Sequence, residues 1–195
     1  MPIASGVCTH YEDGITNGIT EKWTITENTK LSILFQTETY QLTASIERNA
    51  QQRIMSFEYH VTEQLHGLYR INGQQLSAKR SLPPNIDLED TLVWADDAIL
   101  DLPFLSTKGH TILHLNQYGA VPVFAPHLYS GDRAGDLAKK SVNQLSEEFV
   151  TIDNKIYSAK KYRYGQLYWL DKHGIVLKVQ ADNYEMVLTE YTRFD

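Results

Sequence analysis

The stretch Tyr162–Phe194, YRYGQLYWLDKHGIVLKVQADNYEMVLTEYTRF, decides the fold class. It reads as three antiparallel strands. Side chains alternate across a pleated strand, so Tyr162, Tyr164, Tyr168 and Leu170 share one face and Arg163, Leu167, Trp169 and Asp171 the other. Asp171-Lys172-His173-Gly174 turns the chain, with Gly174 supplying the positive φ such a connection needs. Ile175, Leu177, Val179 and Ala181 then alternate with Val176, Lys178, Gln180 and Asp182, and Asp182-Asn183 is a second turn before Tyr184–Leu188. Neither face of the first strand is plainly suited to solvent. One is expected to pack a core and the other to be covered by the segment around Trp94.

The same grammar runs backward through the chain. Strand-sized segments recur about every ten residues from Ile3 to Arg80, as expected of a meander. Apolar faces are carried by Trp23 and Ile25, by Leu31, Ile33 and Phe35, by Leu42, Ala44 and Ile46, and by Met55, Phe57, Tyr59 and Val61. Asp13-Gly14, Asn17-Gly18, Asn28-Thr29-Lys30 and Asn72-Gly73 read as the turns between them. The pattern breaks at Ser81-Leu82-Pro83-Pro84-Asn85. Beyond it Leu88, Leu92, Ala95, Ile99 and Leu102 step by three or four, which predicts a helical insertion over about 87–102, opened by Asp87 or Asp90 and stopped by Pro103. His110–Asn116 reads as a strand, Tyr118-Gly119 as a turn, and 125–146 as an irregular loop holding one short helix from Asp136 to Leu145. No repeat or linker divides the 195 residues, so residues 1–195 are expected to form a single β-rich domain.

Composition narrows the function classes. A net charge of −6 opposes a nucleic-acid partner, which needs a basic face to neutralise phosphates. No segment has the length of a transmembrane helix, and Met1–Ser5 lacks the features of a secretion signal. The expected compartment is periplasmic or extracellular if a leader has been removed, and otherwise cytoplasmic. Cys8, the single cysteine, cannot form an intrachain disulfide and reads as a small buried thiol.

The candidate chemistry is sparse. His110 and His114 would share a helix face, but on a strand they stand roughly 13 Å apart, too far for one metal. His10, His60, His66, His127 and His173 show no ligand spacing. Gly131-Asp132-Arg133-Ala134-Gly135-Asp136 lacks the Lys-Ser/Thr of a phosphate loop and the regular spacing of a calcium loop, and reads as a surface loop. Asp87, Glu89, Asp90, Asp96, Asp97 and Asp101 form an acidic stretch around the predicted helix, and Asp87, Glu89 and Asp90 sit where a helix start favours negative charge. There is no nucleophile elbow. Glu21, Glu58 and Glu190 fall on or near apolar strand faces, where burial would raise their pKa and make them possible acids. The tyrosines fall mainly in strands, where several lining a concave face would suit an amphiphilic ligand.

Trp94–Leu102, Gly109–Val123, Ile156–Tyr162 and, most specifically, Tyr168-Trp169-Leu170-Asp171 followed by Gly174-Ile175-Val176-Leu177 carry a resemblance over most of the chain. It resembles the secreted proteobacterial domains of unknown function related to the LolA/LolB lipoprotein-carrier superfold. The resemblance implies a mainly β fold, a strongly curved antiparallel sheet forming an incomplete barrel, with one or two short helical segments covering or plugging its open side. It further implies an envelope protein that shelters a lipid or other amphiphile without chemistry, so that no catalytic residue, cofactor or metal is assigned. The expected cavity lining is Trp23, Phe35, Phe57, Tyr59, Trp94, Tyr164, Tyr168 and Trp169. Two alternatives stand beside it: a small β-barrel hydrolase, lyase or isomerase using carboxylate or histidine groups, and an interaction domain whose sheet edge receives a partner strand.

Overall fold

The computed structural model describes residues 2–26, 29–62, 65–83, 86–129 and 133–193. The first half is an antiparallel meander of eight strands: β1 (Pro2–Glu12), β2 (Ile15–Thr26), β3 (Lys30–Gln36), β4 (Gln41–Arg48), β5 (Ile54–Val61), β6 (Leu65–Asn72), β7 (Gln75–Leu82) and β8 (Ile86–Val93). An insertion follows, made of β9 (Ile99–Leu100), α1 (Leu105–Tyr118), β10 (Val121–Pro126) and β11 (Gly135–Lys140). The chain ends in a second meander, β12 (Asn143–Ile152), β13 (Lys155–Tyr164), β14 (Gln166–Leu170), β15 (Val176–Gln180) and β16 (Tyr184–Arg193). The two meanders join because β1 pairs with β16, giving one 13-stranded sheet in the order β12-β13-β14-β15-β16-β1-β2-β3-β4-β5-β6-β7-β8. The sheet is open, with β8 and β12 as its edges, and β11-β10-β9 form a separate small sheet.

Alternation places the core. Trp23, Ile33, Ala44 and Tyr59 lie opposite one another across four strands and are all buried. Phe57, Tyr59 and Tyr69 are fully buried and mutually stacked, with ring centroids 5.2–6.5 Å apart. Each contributes roughly 1.5–3 kcal/mol of apolar burial. Gly67 stands opposite Tyr59, and a methyl group there would overlap the phenol ring, so the missing side chain is what lets that ring lie across the sheet.

The opening stretch holds one more turn than expected. Gly165, at φ 70°, reverses the chain between β13 and β14, so Tyr162 and Tyr168 share a face as directly opposed partners across a hairpin. That face goes to the core, as Tyr168, Val179 and Met186 continue the row. The other face is not covered by Trp94, whose ring meets Phe124. Trp169 is instead flanked by its cross-strand neighbours Lys161 and Lys178, at 4.6 and 5.5 Å from the ring centroid, and its Nε1–H donates to Glu148 at 2.8 Å. The two ammonium groups lie over the indole and pair with Glu148 and Glu185, so cations rather than Trp94 cover the ring. Asn17-Gly18 is also not a turn; it lies inside β2 at a register shift against β1, while Asp13-Gly14 makes the hairpin.

The predicted helix and one predicted strand exchange places. Residues 86–93 form β8, where the acidic side chains pair across strands rather than capping a helix: Lys79 meets Glu89 at 2.6 Å and Ser81 donates to Asp87 at 2.6 Å. The helix is α1, over residues read as a strand. Its Thr107, Thr111 and Ile112 are β-branched and it contains Gly109, so local preference for helix is weak. Its buried side, Leu105, Gly109, Ile112 and Leu115, nevertheless steps by three or four. Pro103, read as a stop, precedes its start, and Gly119 ends it at φ 78° with its N–H on the Leu115 carbonyl. Within 125–146, β10 pairs with β11 from Val121↔Lys140 to Pro126↔Gly135, and the expected helix over Asp136–Leu145 is replaced by β11 and the start of β12. The expected breaks at Asn28 and Pro84-Asn85 and the Gly131-Asp132 part of the glycine-rich loop lie outside the described residues.

Candidate functional site

The eight aromatic positions expected to line a cavity lie in one core. Trp23, Phe57, Tyr59, Trp94, Tyr168 and Trp169 are buried members of the main hydrophobic cluster, and Phe35 and Tyr164 pack against it. They form separate neighbourhoods. Phe57 and Tyr59 sit with Tyr69 and Phe104, Trp94 with Phe124, Trp23 with Tyr191, and Tyr164 beside Tyr168.

Two polar devices hold the insertion against the curved sheet. At one, His127, Leu128 and Ala134 offer backbone carbonyls to the core: Tyr59 Oη–H donates to the Leu128 carbonyl at 2.7 Å, Tyr69 Oη–H reaches the Ala134 and His127 carbonyls at 3.0 and 3.2 Å, and Arg80 also donates to His127. Burial pushes the Tyr69 phenol up to about 12 and Tyr59 higher still, so both remain donors. At the other, Glu21 projects from β2 to the start of α1, where Oε2 accepts the Leu105 N–H and Oε1 the Ser106 N–H, both at 2.8 Å. Burial raises the Glu21 pKa, opposed by these helix donors and by Lys108. Asp101 accepts from Lys108 at 2.6 Å and from Tyr164 at 2.9 Å.

Among the described residues Glu21, Arg80 and Asp101 are the buried charged groups. All four oxygens of the two carboxylates are engaged, three by Leu105, Ser106 and Lys108 of α1 and one by Tyr164 of β13. Of the three glutamates singled out in the sequence, Glu21 alone is buried, and Glu58 and Glu190 are exposed. Cys8 is buried, its thiol pushed up by burial and then by Glu21.

His110 and His114 do share a helix face, with rings 6.5 Å apart, which corrects the strand argument used against them. Arg48 and Arg53 lie near His110, and Arg53 and Asp97 near His114. Burial first, then Arg48, His114 and Arg53, lower the His110 pKa to about 4. His110, Arg53, Trp94 and Ile99 line a narrow cavity of about 150 Å³, with Arg53 donating to the Asp96 and Ala98 carbonyls.

A larger cleft, about 710 Å³, opens where the β12–β13 hairpin extends past β14. Pairing of β13 with β14 begins at Lys160↔Leu170, so residues 155–159 pair with β12 alone and leave room against the β14–β15 turn and the end of β16. Ile156, Tyr157, Leu170 and Tyr191 supply its apolar surface; Tyr157 and Tyr191 lie 6.0 Å apart. Lys155, Lys160, Lys172, His173 and Arg193 stand around it with Glu147 and Asp171. Lys160 pairs with Glu147 at 3.9 Å, and one Asp171 oxygen accepts the His173 and Ile175 amides within its own turn. Among the described residues no ion pair engages Lys155, Lys172 or Arg193. A second cleft, about 620 Å³, lies among Tyr40, Val61, Leu65, Pro83 and Tyr129 and has no charged lining residue among those described. Of the eight expected residues, none lines either cleft. The signal for the larger one, an over-long hairpin, resides in strand register, which alternation does not reveal.

No protein-family model matches this sequence, and no curated protein matches it. Among solved structures, a β-barrel-like protein of domain of unknown function DUF1849 from Brucella abortus superposes with a TM-score of 0.51. The match covers 100% of this chain and 98% of that chain, at 10% identity. What the two share is the fold. The chain has the β-barrel-like architecture of an uncharacterised bacterial domain: a large, curved, open antiparallel sheet with one helix among the described residues. Among the described residues no helix is long and apolar enough to cross a membrane.

Proposed function

We propose that the protein is a non-catalytic binder of an anionic amphiphile, taken up in the cleft between the β12–β13 hairpin and the end of β16. The observation that carries this reading is the pairing of an apolar floor, Ile156, Tyr157, Leu170 and Tyr191, with Lys155, Lys172 and Arg193 at the same opening. An acyl chain would cover the apolar groups while a carboxylate or phosphate meets the cations, a division of labour typical of such pockets. The cleft volume falls within the range of small-molecule sites. The same reading makes the chain a relative in role of the lipoprotein carriers and places it in the cell envelope. The two buried carboxylates, Glu21 and Asp101, have every oxygen hydrogen-bonded and lie outside this cleft, so neither is placed to act as the acid or base that hydrolysis, elimination or isomerisation there would need.

The test is titration of palmitate and of the uncharged monopalmitoylglycerol into purified protein by calorimetry, with native mass spectrometry of protein from its own host. Palmitate is expected to bind saturably and more tightly than the glycerol ester. Tyr191→Asp should abolish binding, and Lys172→Glu should weaken palmitate by about tenfold, equal to about 1.4 kcal/mol. Absence of saturable binding by either ligand, with no co-purifying lipid, would sink the reading.

One observation favours a second reading, an interaction domain. The edge strand β12 carries Phe149, 79% exposed, and the other edge, β8, carries Val93, 87% exposed. Open edges with apolar side chains invite strand addition. Light scattering of concentrated protein should then show self-association that Phe149→Lys reduces; a strict monomer unaffected by the substitution counts against it.

A further inference from the structure

The outer face of the sheet brings together Glu58, His60 and His66, residues without ligand spacing along the chain. His60 and His66 are directly opposed on β5 and β6, and Glu58 lies two residues before His60 on the same face. Glu58 Oε1 stands 3.1 Å from His66 Nε2 and 3.5 Å from His60 Nε2, and the three ligand atoms all lie within 4.8 Å of one another. The imidazoles stack at 4.3 Å with 16° between their planes, so both rings present their Nε2 edges toward one carboxylate.

We infer that Glu58, His60 and His66 form a binding site for a divalent cation of the zinc class on the outside of the barrel. Zinc bonds nitrogen and carboxylate oxygen at about 2.0–2.2 Å, which in tetrahedral geometry separates neighbouring ligand atoms by roughly 3.3 Å. The two carboxylate-to-imidazole separations bracket that distance; because the Nε2 lone pairs lie in the ring planes, the stacked imidazoles splay about their side-chain torsions as the ion enters between the three atoms. Two imidazoles and one carboxylate select zinc, copper or nickel over magnesium and calcium, which want several oxygens. A sheet is a suitable platform because pleating holds i and i+2 on one face and the ladder fixes the third ligand opposite. The side chains are 40–60% exposed, so the ion retains water in its remaining positions. Glu58 and His60 also line a groove of about 440 Å³ with Lys22, Thr43 and Ser45, on the face opposite the buried Tyr59.

The test is titration of Zn²⁺ alone into the full chain, in competition with a chromophoric chelator, with Mg²⁺ as the control ion. One equivalent of Zn²⁺ is expected to bind and Mg²⁺ not to compete. His60→Ala and His66→Ala should each weaken binding by more than about tenfold, His66→Cys should retain it, and His173→Ala, in the distant β14–β15 turn, should leave it unchanged. Circular dichroism of each variant confirms the fold. The inference is overturned if the wild-type chain takes up no Zn²⁺, or if His60→Ala and His66→Ala bind it as tightly as wild type, which would leave the three residues as a surface ion pair.

Discussion

Glu21 does from another strand what a capping side chain ordinarily does from the helix itself. The residue at the start of α1, Phe104, makes no side-chain cap, and the first turn holds no acidic residue, so the Leu105 and Ser106 amides depend on a carboxylate 84 and 85 positions away. Removing it leaves two donors without a partner in a buried setting, each costing roughly 1–3 kcal/mol. Glu21→Ala should therefore lower unfolding free energy by about 2–4 kcal/mol, read from urea denaturation. His110 gives a pH dependence of defined sign. Its folded pKa, about 4, lies below the 6.5 of an unperturbed imidazole, so between these values the unfolded chain binds more protons. Stability is then full above about pH 6.5 and falls as pH drops toward 4, by roughly 1–3 kcal/mol allowing for partial exposure. Denaturation midpoints across that range should show the slope, and His110→Gln should flatten it. The burial of Glu21 was legible as an expectation from alternation along β2. Its partner was not, because nothing local in either sequence indicates that β2 and α1 meet.

At the scale of elements, the exchange between the expected helix over 87–102 and the observed α1 has a physical cause. Leu88, Leu92, Ala95, Ile99 and Leu102 satisfy a helical spacing, yet β8 gains a full ladder against β7 and ion pairing from Lys79, which a helix there would forgo. Conversely α1 carries Gly109 and the β-branched Thr107, Thr111 and Ile112, which weaken its local helix preference, and is held by its surroundings. Gly109 rests against the Gly174 backbone in the β14–β15 turn, so close that a methyl group would overlap the carbonyl. Gly109→Ala thus sets about 1 kcal/mol of improved helix propensity against a backbone clash typically worth 1–3 kcal/mol. The clash is expected to win, with a lowered melting temperature by calorimetry and faster proteolysis within 105–118. An unchanged or raised melting temperature would show that the helix shifts freely. The strands themselves were legible because alternation and turn residues such as Asn72-Gly73 and Gly174 act locally, and both glycines take positive φ.

For the whole molecule, the decisive contact is between the first and last strands. β1 and β16 pair from Ala4↔Arg193 to Glu12↔Tyr184, with Cys8 opposite Leu188 and a register shift beside them. Gly6 lies at this seam, where a larger side chain would meet both the Trp23 indole and Leu188. Gly6→Val should cost roughly 2–4 kcal/mol by urea denaturation and loosen both meanders together. Amide exchange should rise in β1, β2 and β16 alike; a loss confined to β1 would mean that the seam does not couple them. The sequence by itself determined a mainly β chain, most of its turns and its aromatic core, because period-two alternation and turn chemistry are properties of neighbours along the chain; the curved, incomplete barrel was an expectation from the family resemblance. The tertiary structure decided where the helix forms, how Glu21 caps it, where the β12–β13 cleft opens and how His60 and His66 meet over Glu58. Each of these depends on strand register or on contacts between distant segments, whose energies are paid out only when the sheet has curved and closed its first strand onto its last.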